Sequence, residues 1–230
     1  MALVFEDSVM INRPQFIAKV KDVSSKLGIE PDWLMAVMWS ESKLNPSIKN
    51  EINCVGLIQF CPDTSRGAYK TIGKEQVLID GLATMSNVQQ LDYVLKLYHP
   101  YRNKLTRFID LYLFNFYPYA LGKGDDYVFG SEKGEKQVKK IASQNPAFDV
   151  DKDGKITIAN FKQYIANKFK DYPHLLGGTK GEKPLVEQEV SGAVKVEKYA
   201  KRNWLLLSVI LILIGLSIIF LYKYYSKKKK

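Results

Sequence analysis

Apolar residues recur at helical spacing through most of the chain. Phe16, Val20, Val23 and Leu27 fall on one face of a 3.6-residue period. Asn12 as a cap and Pro14 in the first turn open that helix, and Gly28 closes it. A second helix is predicted from Pro31 through Trp33, Leu34, Val37 and Met38 to about Ser42, stopped by Asn45-Pro46. Residues 47–73, rich in Gly, Asn, Pro, Thr and Ser, read as loops with a small hairpin. Ser86-Asn87-Val88-Gln89 is a capping box for a helix to about Tyr98. Leu105, Ile109, Leu113 and Phe116 give a further helical face. Ile158, Phe161, Ile165 and Phe169 mark a last amphipathic helix. The predicted fold class is mainly α, with no internal repeat.

The pattern changes after residue 175. Residues 176–200 lose periodicity and are dominated by Gly, Pro, Lys and Glu, which predicts a linker. Trp204 to Tyr222 is then a run of nineteen residues, nearly all apolar and none charged. As a helix it would be about 28 Å long, close to the hydrocarbon thickness of a bilayer. Trp204, Tyr222, Tyr224 and Tyr225 sit where an aromatic belt would, and Lys201, Arg202, Lys223 and Lys227 to Lys230 flank the run. The expectation is a main domain at 1–175, a linker at 176–200, and a single C-terminal transmembrane helix with a polybasic tail at 201–230. A buried core helix is the alternative for the apolar run. The opening MALVFEDSVMINR lacks a signal-peptide pattern, so a tail-anchored protein is expected.

Charge alters this picture only once it is located. The net charge of +10 and pI near 9.3 suggest a nucleic-acid binder. Yet residues 1–175 hold 23 basic and 20 acidic side chains, 176–200 four of each, and 201–230 seven basic and none acidic. The main domain is near neutral, and no specific nucleic-acid recognition is expected of it. Two histidines leave little for a zinc site, and two cysteines exclude a disulfide-dense scaffold.

The candidate chemistry begins at Glu41. It is a lone carboxylate at the C-terminal end of an apolar helix, where desolvation and the helix dipole both disfavour its charged form. A raised pKa suits a general acid near neutral pH, whereas a solvated glutamate at a helix end is the plainer reading. About fifteen residues on comes Val55-Gly56-Leu57-Ile58-Gln59-Phe60: a glycine that lets the chain turn, apolar packing residues, and an amide able to bind a sugar.

Glu41-Ser42 followed at this distance by Gly56-Leu57-Ile58-Gln59 resembles the lytic transglycosylases of the goose-type lysozyme-like fold. In that family a Glu-Ser pair ends a buried helix and a Gly-Leu-Met-Gln segment follows; Ile58 here replaces the Met. The resemblance covers roughly residues 15–130. It implies a lysozyme-like domain with Glu41 as catalytic acid and then base, Gln59 contacting substrate, and Ser42 holding the sugar or the glutamate. The family's third segment usually reads Ala-Tyr-Asn-Ala-Gly. Its best match here is Phe114-Asn115-Phe116-Tyr117-Pro118, with Tyr119 to Gly122 after it, as in phage-encoded members. Tyr117 is thereby a substrate-binding candidate, with core packing as the alternative.

The resemblance further implies cleavage of the MurNAc–GlcNAc β-1,4 bond of peptidoglycan with one carboxylate. The sugar's own 6-hydroxyl closes a 1,6-anhydro ring, so no cofactor is required. A hydrolytic lysozyme would need a second carboxylate, for which Asp63 and Glu51 are the nearest in sequence, both read as surface residues. Cys54 and Cys61 bracket the Gly56–Gln59 segment. Two reduced thiols are the expectation, a disulfide the alternative, and a Cys–His peptidase with His99 a remote third.

Residues 149–160 resemble a calcium-binding EF-hand loop. Asp149, Asp151 and Asp153 alternate, Gly154 supplies the turn, Lys155 falls at the backbone-ligand position, and Asn160 stands where a bidentate Glu is expected. A weak structural calcium is one reading; an Asp-Gly turn capped by Thr157 is the other.

A wall-cleaving enzyme anchored by its tail must still reach the wall. A bacteriophage with an internal membrane reconciles the two, with the domain between membrane and capsid. The partners would then be peptidoglycan glycan strands, the lipid bilayer, capsid proteins, and the genome through Lys227 to Lys230. A bacterial cell-envelope enzyme is the alternative location. A non-catalytic virion or membrane structural protein is the alternative function.

Overall fold

The structure is a computed structural model that describes residues 2–64 and 67–177. Helix α1 spans Arg13–Leu27 and buries Phe16, Ile17, Val20, Val23, Ser24 and Leu27, the predicted stripe and its neighbours. Pro14 sits in its first turn, but Asn12 makes no side-chain cap. Gly28, left-handed at φ +65°, ends it by donating its N–H to the carbonyls of Ser24 and Ser25.

Helix α2, Pro31–Ser42, buries every residue from Trp33 to Met38. A helix apolar all round has no water-facing side, so it becomes the centre of the domain. It packs between α1 and α5, and α1 packs in turn against α4.

The regular hairpin lies later than predicted. β1 (Tyr69–Ile72) pairs antiparallel with β2 (Glu75–Leu78), from Tyr69↔Leu78 to Ile72↔Glu75, turning at Gly73-Lys74. Within 47–60 strand-type pairing is limited to the isolated bridges Lys49↔Val55 and Val55↔Phe60. Helix α3 (Ile79–Thr84) leads into α4 (Asn87–Tyr98). The predicted capping box forms there: Ser86 Oγ accepts from Gln89 N at 3.2 Å, and Ser86 N donates to Gln89 Oε1 at 2.9 Å.

Helix α5 spans Phe108–Phe116, α6 Glu135–Gln144, α7 Ile158–Lys168 and α8 Pro173–Leu176. Aromatic rings join the later helices to the earlier ones. Phe116 of α5 stacks on Phe161 of α7 at 5.3 Å, and Phe169 lies edge-on to Phe108 at 5.3 Å. One hydrophobic core thus runs from Val9 to Leu175.

The expected fold class needs correction in one respect. Among the described residues no helix is long and apolar enough to cross a membrane. The fifteen residues of α1 carry a polar face, and the apolar run of α2 is shorter still and buried in protein. What the structure supports is a mainly helical fold with a small two-stranded sheet. The run 204–222, the tail to 230 and all but the first two residues of the 176–200 linker lie outside the described residues.

Candidate active site

Glu41 occupies the last turn of α2. Burial pushes its carboxyl from the usual 4.5 up to about 7, against the opposing pull of Lys168 and of the Asn115 amide. The reason is local: α2 is wrapped in apolar side chains, so a carboxylate at its end loses most of its water.

Ser42 is almost fully buried. Its hydroxyl lies 2.9 Å from the Met38 carbonyl and 3.0 Å from the Leu57 carbonyl. It therefore sews the end of α2 to the Gly56–Gln59 segment, which brings the two motifs together across fifteen residues of chain.

That segment is a tight reversal. Val55 and Phe60 exchange backbone hydrogen bonds of 3.1 and 2.8 Å, and Gly56 and Gln59 adopt positive φ at +76° and +52°. Gln59 Nε2 donates to the Gly56 carbonyl at 3.2 Å. Below the turn, the buried Gln90 of α4 fills the reversal. Its Oε1 accepts from Leu57 N at 2.9 Å, and its Nε2 donates to the carbonyls of Pro46 and Leu82 at 2.6 and 2.8 Å.

Only glycine fits at 56, because a Cβ there would lie 2.3 Å from Gln90 Oε1. Cys54 and Cys61 form a disulfide across the base of the reversal, with Cα atoms 4.0 Å apart, so the expected pair of free thiols is corrected. Among the described residues no cysteine is free, which removes the Cys–His peptidase reading.

The third segment contributes through Asn115, which carried no role in the sequence reading. Tyr98, fully buried in α4, donates to Asn115 Oδ1 at 2.7 Å and so fixes the amide. The opposite end of that amide favours the ionised Glu41. Its buried Nδ2 lies beyond hydrogen-bond reach of any group among the described residues, so that pull on Glu41 is exerted across a longer gap.

Tyr117 is engaged elsewhere. Its hydroxyl donates to Glu132, which also accepts from Tyr127 at 2.5 Å, and its ring stacks on Phe129 at 5.3 Å. The structure thus joins Glu41, Ser42 and the Gly56–Gln59 turn, and ties the Tyr117 hydroxyl to Glu132.

No acidic group figures among the residues acting on Glu41. Asp63 belongs to the hairpin, accepting from Thr71 N at 2.8 Å and pairing with Lys70 at 3.3 Å, and Glu51 is exposed.

In the 149–160 loop, carboxylate oxygens of Asp149, Asp151 and Asp153 come within 4.8 Å of one another. Asn160 Oδ1 is already held by Thr157, accepting from its N at 2.8 Å and its Oγ at 2.6 Å to cap α7. Lys155 N donates to Asp153 Oδ1 at 2.9 Å.

Residues 19–99 match the family model described as the Transglycosylase SLT domain. The match takes in Glu41, Ser42, the Gly56–Gln59 turn and Gln90, and ends before Asn115 and Tyr117. Members of that family are lytic transglycosylases that cleave the glycosidic bonds of peptidoglycan, and by this match the chain is a peptidoglycan-cleaving enzyme. No curated protein and no solved structure matches the chain significantly.

Proposed function

We propose that this domain cleaves the MurNAc–GlcNAc β-1,4 bond with Glu41 as its single acid–base group. Glu41 donates its proton to the glycosidic oxygen as the bond to C1 breaks. The carboxylate left behind takes the proton of the sugar's 6-hydroxyl as that oxygen bonds C1 and closes the 1,6-anhydro ring. The observation that carries this reading is a part-buried carboxyl pushed up to about 7 with, among the described residues, no acidic group acting on it. Such a group is protonated often enough to act as an acid at neutral pH. With no acidic group among the described residues acting on Glu41, the substrate's own hydroxyl is the nucleophile this reading assigns.

Mass spectrometry of digested sacculi is the test. Anhydro-sugar ends are expected, and Glu41→Gln should abolish them, a loss of at least about a hundredfold for a general acid. Reducing ends would instead make the enzyme a hydrolase.

The disulfide favours an oxidising compartment, which agrees with a substrate in the cell envelope. Calcium in the 149–153 loop is a second proposal, supported by the convergence of three carboxylates. With Asn160 Oδ1 spent on capping α7, the bidentate twelfth ligand is missing, so binding should be weak, on the order of 10⁻⁴ to 10⁻³ M. Calcium at a few millimolar should raise the melting temperature, and Asp151→Asn should remove that rise.

A further inference from the structure

Lys168 ends α7, sixty-nine residues beyond the last position matched by the family model. Its neighbour Phe169 is buried against Phe108, against Tyr112 at 5.9 Å and against Phe5 at 6.3 Å. Phe5 in turn stacks on Trp39 of α2 at 4.1 Å. These rings pin the end of α7 to the C-terminal turn of α2. From that point Lys168 Nζ donates to Ser40 Oγ, on the residue before Glu41.

The charged and titratable groups facing Glu41 can be named by element. Tyr98 comes from α4, Tyr112 and the polar Asn115 from α5, and Lys168 from α7. Burial pushes the pKa of both tyrosines up, so neither supplies charge at neutral pH. Lys43, just past α2, lies over the Trp39 ring at 3.3 Å, and its charge acts on Lys168.

We infer that Lys168 is a positioning residue of the active site. Its ammonium is the counter-charge that holds the Glu41 carboxylate between giving up its proton to the glycosidic oxygen and taking one from the 6-hydroxyl. The helices after residue 130 would then belong to the catalytic unit through this one side chain. The inference rests on the reading of Glu41 as the acid–base group.

A readout independent of activity tests it. The carboxyl ¹³C resonance of Glu41, assigned by its disappearance in Glu41→Gln, is titrated in the wild type and in Lys168→Met, Lys168→Gln and Lys168→Arg. Without the lysine charge the ionised form loses support. The Glu41 midpoint should therefore rise by roughly half a pH unit in the Met and Gln variants and return in the Arg variant.

The alkaline limb of kcat/KM should move to higher pH in step, because the protonated acid persists longer. Raising ionic strength on the wild type should move the midpoint the same way, which serves if a variant does not fold. An unmoved midpoint in both neutral variants and in salt overturns the inference. Wall-cleaving activity that survives Glu41→Gln would overturn the acid–base reading instead, and leave the titration to decide on Lys168.

Discussion

At the scale of the residue, Glu41 couples function to stability. Its carboxyl titrates near 7 in the folded protein and near 4.5 when unfolded, so the folded state holds the proton more tightly. Below about pH 4.5 both states are protonated and nothing is lost. As pH rises towards 7 the unfolded chain releases its proton first, and stability falls by about 3 kcal/mol before levelling above 7. Glu41→Gln removes that term. The variant should be inactive yet more stable than the wild type in urea titrations at pH 8, with the difference vanishing near pH 4. Equal pH dependence of the two proteins would mean that Glu41 is not buried as described.

The raised pKa was legible in the sequence, because a lone carboxylate ending an apolar helix has few ways to keep its water. Its neighbours were not. The hydroxyl of Ser42 beside it goes to two backbone carbonyls, the second of them fifteen residues away. Lys168 is 128 residues from Ser40, and no local pattern announces a contact of that separation.

At the scale of the element, the reversal at Gly56–Gln59 shows what a motif glycine is for. Its φ of +76° disfavours any side chain, and the Gln90 amide occupies the space a Cβ would need. Gln90 cannot withdraw without stranding the Leu57 N–H and the carbonyls of Pro46 and Leu82. Gly56→Ala should therefore destabilise the domain by about 2–4 kcal/mol, from backbone strain plus a broken buried network. Thermal unfolding measures the loss, and a drop under about 1 kcal/mol would show that the turn relaxes freely.

Elements with a strong local signal were readable: α4 begins in the capping box the sequence displays, and α7 in the Thr157 cap and the stripe of Ile158, Phe161, Ile165 and Phe169. Helix α6 went unseen because its buried stripe is only Val138, Ile141 and Ala142 among lysines. The hairpin was misplaced because the turn residues of 47–60 serve the site reversal, while β1 and β2 are four residues each, too short for a clear alternation.

At the scale of the whole molecule, the question is whether the helices after α5 merely decorate the matched segment. The rings argue that they do not. Phe116 of α5 contacts Phe129, Phe148 and Phe161, and Phe108 and Tyr112 are covered by Phe169. Aromatic side chains of this size dominate the burial free energy of a core, and α5 would expose several of them if the later helices detached.

The described residues should therefore unfold as one cooperative unit rather than as a lysozyme-like half and an appendage. Phe161 sits at the centre of this cluster, 1% exposed, and figures in no contact recorded for Glu41, Ser42 or Gln59. Phe161→Ala should cost about 3–5 kcal/mol. In a single unit, helical circular dichroism and wall-cleaving activity would then fall together in one transition at lower temperature. Two transitions, with activity outlasting the first loss of helix, would instead mean that α6 and α7 fold separately and that the catalytic glutamate does without them.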